Sequence, residues 1–146
     1  MTDREPPRSR DAYVAFQPIQ TRWNDNDQFG HMYNVTYYEL FDEAMNRCLR
    51  ALGMLDHHGG DPIQVVVENG CTYFREVAYP DQPVIGLRVT GLGSSSCRIE
   101  MGMFRDGEHS EAARAHFILV TVDNATHRPV PTPEAQRDGL KTLMQP

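Results

Sequence analysis

The sequence predicts an α+β domain in which an antiparallel five-stranded sheet wraps around one long helix. Three observations support this architecture. Residues 35–52 carry an amphipathic helical pattern of about five turns. Five other segments have strand character, and the links between the last strands are too short for crossover helices. With 146 residues, the chain is long enough for one domain with a single hydrophobic core.

The N-terminal region divides into an arm and a first strand. Residues 1–12 include REPPRSRD, which offers no apolar face to bury. We therefore expect a disordered arm over residues 1–12 and the folded domain over residues 13–146. Between Tyr13 and Trp23 the apolar and β-branched side chains are compatible with a strand, in which Pro18 marks an edge or bulge position.

The long helix is predicted from apolar residues that recur every three or four positions between Val35 and Leu52. Gly53 supplies its C-terminal stop. After a Gly- and Pro-containing loop, four further strands are predicted over residues 64–75, 83–91, 96–105 and 111–123.

Two local patterns complete the secondary-structure prediction. In the third of these four runs, apolar and polar residues alternate with the period of two that is typical of a half-buried strand; the apolar ones are Cys97, Ile99, Met101 and Met103. Further on, Thr132, Pro133 and Glu134 predict the cap, the first position and the first-turn acid of a short terminal helix.

The charge balance and the termini restrict the partners and the location. Fourteen basic and 20 acidic residues give a net charge of -6, and no basic cluster resembles a nucleic-acid footprint. The N-terminus MTDREPPRSRDAY has no apolar signal-peptide region, and no run of 18 apolar residues appears. We therefore expect a cytoplasmic protein without a nucleic-acid or membrane partner.

The cysteines and histidines do not predict a metal site. Cys48, Cys71 and Cys97 are odd in number and far apart, so we expect buried thiols in a reducing compartment rather than disulfides or metal ligands. The set His57, His58 and Asp61 lacks a fourth ligand, and adjacent histidines in a Gly-rich loop tend to point apart. No cofactor is expected.

The richest polar chemistry lies directly before the long helix, in RWNDNDQFGHMYNVTYYELFDEA over residues 22–44. A helix N-terminus needs one capping side chain and sometimes one acid in its first turn. Here Asp25, Asn26, Asp27, Gly30 and His31 precede the helix together, which is more than capping requires. On these residues alone, Asp27 could be either a capping acid or a catalytic carboxylate.

This segment resembles the start of hotdog-fold thioesterases of the 4-hydroxybenzoyl-CoA thioesterase type, whose pattern is roughly R-x-x-D-x-D-x-x-G-H-x-x-N-x-x-Y. Seven positions match in register: Arg22, Asp25, Asp27, Gly30, His31, Asn34 and Tyr37. The segments YFREVAYPD, VTGLGSSSCR and VDNATHRPVP are similar to other parts of the family, so that the resemblance covers about residues 16–138. The sequence departs from the pattern at Tyr33, where Asn is commoner.

The resemblance implies a hotdog fold and an acyl-CoA thioesterase that hydrolyses an acyl or aroyl thioester. It assigns Asp27 as the catalytic carboxylate, acting either as nucleophile or through a water, and the backbone N–H near Asn34 as a donor to the thioester carbonyl. His31 would orient the loop or bond near the thioester. The side chain of Asn34 is interpreted as a helix N-cap and Asp25 as structural.

The same resemblance assigns coenzyme A contacts to Gly93, Ser94, Ser95 and Ser96, and to Arg128 for the phosphates. The alternatives are a simple hydrophilic hairpin turn for residues 93–96 and an ordinary solvated arginine at Arg128.

Two other functions stay open from the sequence alone. One is a hotdog hydratase or dehydratase that would use His31 with Glu43 for proton transfer, and the other is a non-catalytic acyl-CoA-binding domain. We also expect a homodimer or homotetramer, because a single five-stranded sheet leaves an unpaired edge. In the resembled family that edge pairs with a second copy, and the substrate tunnel lies between subunits.

Overall fold

A computed structural model of the protein describes residues 4–54 and 60–146. Five strands and two α-helices follow one another along the chain: β1 (Ala15–Pro18), α1 (Asn34–Ala51), β2 (Ile63–Tyr73), β3 (Val84–Leu92), β4 (Ser96–Phe104), β5 (Ala113–Val122) and α2 (Glu134–Lys141). The strands form one sheet in the order β1-β3-β4-β5-β2, and every pairing is antiparallel. The predicted architecture is confirmed.

The core lies between one face of α1 and the inner face of the sheet. Phe41 and Ala44 on the helix are completely buried, and Met101 and Met103 on β4 are equally inaccessible. The alternation predicted for this strand is therefore confirmed, because Cys97, Ile99, Met101 and Met103 all belong to the core cluster. Gly53 follows the helix with a φ of +76°, the left-handed conformation that commonly ends helices.

The first strand is shorter than predicted, because it covers only Ala15–Pro18 of the region from Tyr13 to Trp23. Residues Trp23–Asp25 form a turn of 3-10 helix instead. The cause is a local side-chain bond: the Asp25 carboxylate accepts the backbone N–H of Arg22 at 2.8 Å and bends the chain there.

In both helices the N-cap residue lies one position away from the residue that the sequence predicts. Tyr33 occupies the N-cap position of α1, and Asn34 is the first helical residue. In α2 the N-cap position is held by Pro133, while the hydroxyl group of Thr132 hydrogen-bonds to that of Thr121 at 2.8 Å. Thr132 thus connects the terminal segment to β5 instead of capping the helix.

The N-terminal arm contacts the sheet over its described residues, 4–12. Two hydrogen bonds join Arg8 to Glu111, one to its side chain and one from its backbone. The Arg8 N–H donates to the Glu111 carboxylate, and the Glu111 N–H donates to the Arg8 carbonyl, both at 2.9 Å. The Arg8 guanidinium also reaches Glu100 at 2.7 Å. The residues that bind the arm are about a hundred positions away in the sequence. The local composition of the arm therefore gives no sign of these contacts.

Tyr13 fixes the end of this arm on the outer face of the sheet. Its ring lies over the facing glycines Gly86 and Gly102, where an added Cβ would come within 2.8 and 2.6 Å of the ring. Its hydroxyl donates to Glu111, which is completely buried and also paired with Arg114. The buried carboxylate is therefore compensated by both a charge and hydrogen bonds.

The three cysteines are unpaired. Cys48 and Cys97 are buried as predicted, while Cys71 is half-buried. Burial raises the pKa of the Cys97 thiol to about 12 and that of Cys71 to about 11. None of the helices within residues 4–54 and 60–146 is long and apolar enough to cross a bilayer.

Glu100 is the centre of a charge cluster on the outer face of the sheet. Burial of its carboxyl group favours the neutral form, but hydrogen bonds from Arg88 at 2.8 Å and Arg8 at 2.7 Å outweigh it and lower the pKa to about 2. A lowered pKa stabilises the fold above the ordinary carboxyl pKa, and this contribution is lost as the pH falls towards 2.

We predict that Glu100→Gln lowers the free energy of unfolding at pH 7 by about 2 kcal/mol and flattens its pH dependence between about pH 4.5 and 2. Urea denaturation across this range measures both effects. The control is Asp138→Asn, an exposed acid beyond the first turn of α2 that lies 3.9 Å from Lys141, and this change should alter the free energy by less than about 0.5 kcal/mol. If Glu100→Gln loses as much unfolding free energy between about pH 4.5 and 2 as the unmodified protein does, the stabilising role of the Glu100 cluster is wrong.

Candidate active site

The polar residues before α1 form a closed loop over residues 26–32. Asn26 and Met32 pair as an isolated antiparallel bridge that joins its two ends. Inside it, the Asp27 N–H donates to the His31 carbonyl at 2.6 Å, and the Gly30 N–H donates to the Asp27 carbonyl at 3.1 Å. Gly30 has a φ of +78°, so a side chain there would strain this turn. Met32 is buried and anchors the loop in the core.

The Asp27 carboxylate is held by one of its two oxygens. Oδ1 accepts the N–H of Phe29 at 2.8 Å and the N–H of His31 at 3.1 Å. Oδ2 has no hydrogen-bond partner within the described part of the chain. The side chain is half-buried. One oxygen is thus oriented by the loop, and the other is free to contact a water molecule or a substrate carbon.

The N-terminus of α1 follows directly and offers hydrogen-bond donors. The backbone N–H groups of Asn34 and Val35 have no acceptor among residues 4–54 and 60–146, and the Tyr33 side chain makes no capping bond. Such orphan donors carry the partial positive charge of the helix N-terminus. A carboxylate and a polarising donor set therefore belong to one loop–helix unit.

Asp25 stabilises this loop–helix unit through its hydrogen bonds. It is only 1% exposed and accepts the Arg22 guanidinium at 2.7 Å. Its backbone carbonyl accepts the N–H of Tyr33 at 3.1 Å, which ties the 3-10 turn to the start of the helix. The structural interpretation of Asp25 agrees with these contacts.

His31 lies at the same loop but not beside Glu43. Its Nε2 is 3.3 Å from Oε1 of Glu76, in the segment between β2 and β3, and both side chains are exposed. Glu43 instead bonds to Arg47 at 2.9 Å along the surface of α1. The structure therefore does not bring together the pair that a hydratase would need.

The segment between β2 and β3 forms a second wall of the loop. The Tyr79 N–H donates to the Asn26 side-chain oxygen at 3.0 Å, and the Asn26 amide donates to the Tyr79 carbonyl at 3.3 Å. The exposed Trp23 ring meets the Tyr79 ring edge-on at 5.9 Å. Sequence reasoning missed Glu76 and Tyr79; the available signal was the segment YFREVAYPD, which contains both.

The residues predicted to contact coenzyme A lie at the opposite end of the sheet. The β3–β4 hairpin contains Gly93–Ser96, and its backbone is tied down because the Ser94 carbonyl accepts the N–H of Thr132 at 2.9 Å. Arg128 follows β5 at this same end, where its carbonyl accepts the N–H of Asp123 at 2.9 Å. The length of β3, about 26 Å, separates this end from Asp27. Within one chain the two predicted groups are not brought together.

Within the described residues, no group of three or more His, Cys, Asp or Glu side chains is placed to bind a metal ion. His57 and His58 lie outside the described residues, and Asp61 accepts the N–H of Asn124 at 3.1 Å.

Comparison with known proteins assigns this fold and loop to a family. The sequence profile of the Thioesterase-like superfamily matches residues 21–140, which include the loop, α1, β2 to β5 and all but the last residue of α2. The PA5185 protein of Pseudomonas aeruginosa is 45% identical, with a TM-score of 0.91 over 95% of this chain and 97% of that one.

Two other relatives are more distant. A Thermus thermophilus thioesterase, solved with coenzyme A and zinc, is 26% identical with a TM-score of 0.72, over 88% of this chain and 92% of that one. The uncharacterized protein YsmA of Bacillus subtilis is 28% identical over 88% of this chain and 86% of its own length. The chain therefore belongs to the Thioesterase-like superfamily and is a thioester hydrolase with the hotdog fold.

Proposed function

We propose that this protein hydrolyses an acyl- or aroyl-CoA thioester to the free acid and coenzyme A. The observation that carries the proposal is the Asp27 carboxylate, which has one oxygen held by two loop N–H groups and one oxygen free, beside the N-terminus of α1. The coenzyme A bound to the Thermus thermophilus thioesterase supports the choice of a CoA thioester.

The chemistry follows from these two features. The thioester carbonyl oxygen lies at the free N–H groups of Asn34 and Val35, which stabilise the negative charge that develops on it. Asp27 either takes a proton from a water molecule that attacks the carbonyl carbon, or attacks that carbon itself and forms an anhydride that water then opens. In both routes the C–S bond breaks and the departing thiolate takes up a proton. In the first route the oxygen of water ends in the released acid. In the second route it ends in the released acid or in the Asp27 carboxylate, according to which carbonyl of the anhydride the water attacks.

We predict that Asp27→Asn lowers turnover by roughly 100-fold or more, because the amide can neither take the proton nor attack the carbon efficiently. Thiol release from an accepted acyl-CoA, measured on folded protein, tests this. A capping acid would behave differently, since its loss costs only about 0.3 to 1 kcal/mol of stability and little activity. Near-normal turnover in the folded variant would show that the proposed mechanism is wrong.

The matched control is Asp25→Asn, two positions earlier in the same loop region. Asp25 is buried and bonded to Arg22, so this change should lower the melting temperature. Turnover per folded molecule should stay within about threefold of the unmodified protein. The pair of variants separates loss of chemistry from loss of stability.

We further propose that the protein is a homodimer joined through the free edge of β2. This edge is 11 residues long and carries the exposed side chains of Val66 and Val67. Unpaired strands of this kind favour pairing with another chain. The opposite edge, β1, has only four residues and ends at Pro18. An antiparallel pair of β2 strands would place the partner's 93–96 hairpin at the end of the sheet that holds Asp27.

We predict that Val67→Lys weakens dimerisation at least tenfold, because a charge replaces an exposed apolar side chain at the proposed seam. Val14→Lys is the control, since Val14 is also exposed but precedes β1. Sedimentation velocity over a concentration series measures both. A fully active monomer of 16.6 kDa in the unmodified protein would contradict the dimer.

A further inference from the structure

The contacts that hold Asp27 are of two kinds, and the first kind is internal to its loop. The bridge between Asn26 and Met32 closes the loop, and the backbone bonds among Asp27, Gly30 and His31 shape it. The two N–H groups that bind Oδ1 also belong to the loop. These bonds orient the carboxylate within the loop, but they do not set where the loop lies against the rest of the protein.

The second kind of contact reaches other segments. Met32 packs into the core, and His31 approaches Glu76 at 3.3 Å. Both side chains of that pair are exposed, and such pairs are weak in water. Among the described residues, Asn26 alone links the loop to another segment with a matched donor and acceptor: it bonds to the N–H and the carbonyl of Tyr79 at 3.0 and 3.3 Å, at the protein surface.

The chemistry of this contact restricts the residue at position 26. A side-chain amide presents one acceptor and donor N–H groups from a single planar group, so it can pair with both polar groups of a backbone residue. A carboxylate has no donor when ionised, and an aliphatic side chain has neither group. In the family pattern this position is unspecified, so the assignment comes from the geometry of this chain.

We infer that Asn26 is a positioning residue for the proposed reaction: its bonds to Tyr79 set the location of the Asp27 carboxylate relative to the N-terminus of α1. The inference rests on the proposed catalytic role of Asp27. Because Asn26 directly precedes Asp27, a shift of its backbone moves the carboxylate as well. Misplacement of a catalytic group by about 1 Å is enough to cost on the order of 100-fold in rate.

The test is Asn26→Leu, which keeps a similar volume and removes both bonds to Tyr79. We expect kcat to fall by about 10- to 100-fold, with KM within about threefold, because the substrate still binds while the carboxylate is misplaced. Asn26→Ala also removes both bonds to Tyr79, and its small side chain avoids the steric clashes that leucine could introduce. The matched control is Asn46→Leu, which removes the amide bond to Asp42 on α1 and should leave kcat within about twofold.

The conservative variant Asn26→Gln separates positioning from general stability. It carries the same amide one methylene further out and should recover a measurable part of the kcat lost in Asn26→Leu. A merely structural role would lower the melting temperature and the folded fraction, without a selective loss of kcat per folded molecule.

Asp27→Asn in the same assay separates the two proposals. If it loses activity while Asn26→Leu and Asn26→Ala keep kcat within about twofold, the positioning role is wrong and the proposed function stands. If Asn26→Gln is no better than Asn26→Leu, the positioning role is also wrong. If Asp27→Asn keeps near-normal turnover, both proposals fail together.

Discussion

Burial of one face of α1 against the inner face of the sheet is the constraint on which the other features depend. Phe41 and Ala44 are fully enclosed by the strands, so the helix has one position and one direction. Its N-terminus therefore lies at the end of the sheet where β1 ends and the segment between β2 and β3 crosses. The loop over residues 26–32 is fixed between them, and the helix N–H groups point to the same place. Core packing thus decides where the N–H groups of the helix N-terminus lie.

Most of the fold was predictable because its elements carry local patterns. The apolar residues of α1 recur every three or four positions, and those of β4 recur every second position. Such local patterns do not depend on how the elements pack together. The first strand was overestimated because the Asp25 carboxylate bends the chain through a single side-chain bond, which leaves no period. The contacts of Arg8 with Glu100 and Glu111 join positions about a hundred residues apart, so no local pattern predicts them.

The candidate site was predictable only where a motif marks it. Asp27, Gly30 and His31 stand together in the sequence and also in space, whereas Asn26 is bonded to a backbone group 53 positions away. A backbone partner imposes no residue type, so no sequence pattern reveals it. The separation of Asp27 from the 93–96 hairpin depends on strand register, which pairs Val84 with Phe104 and so assigns each turn to its end of the sheet.

The outer face of the sheet bears on how sequences of this kind can diverge. Tyr13 occupies the space that side chains at Gly86 and Gly102 would need, and its hydroxyl group bonds to the buried Glu111. A larger residue at either glycine expels the ring, and loss of the ring leaves both a furrow and a poorly compensated charge. These four positions are therefore expected to change as a set during evolution. We therefore expect the arm and the sheet face that it covers to behave as one unit when either of them changes.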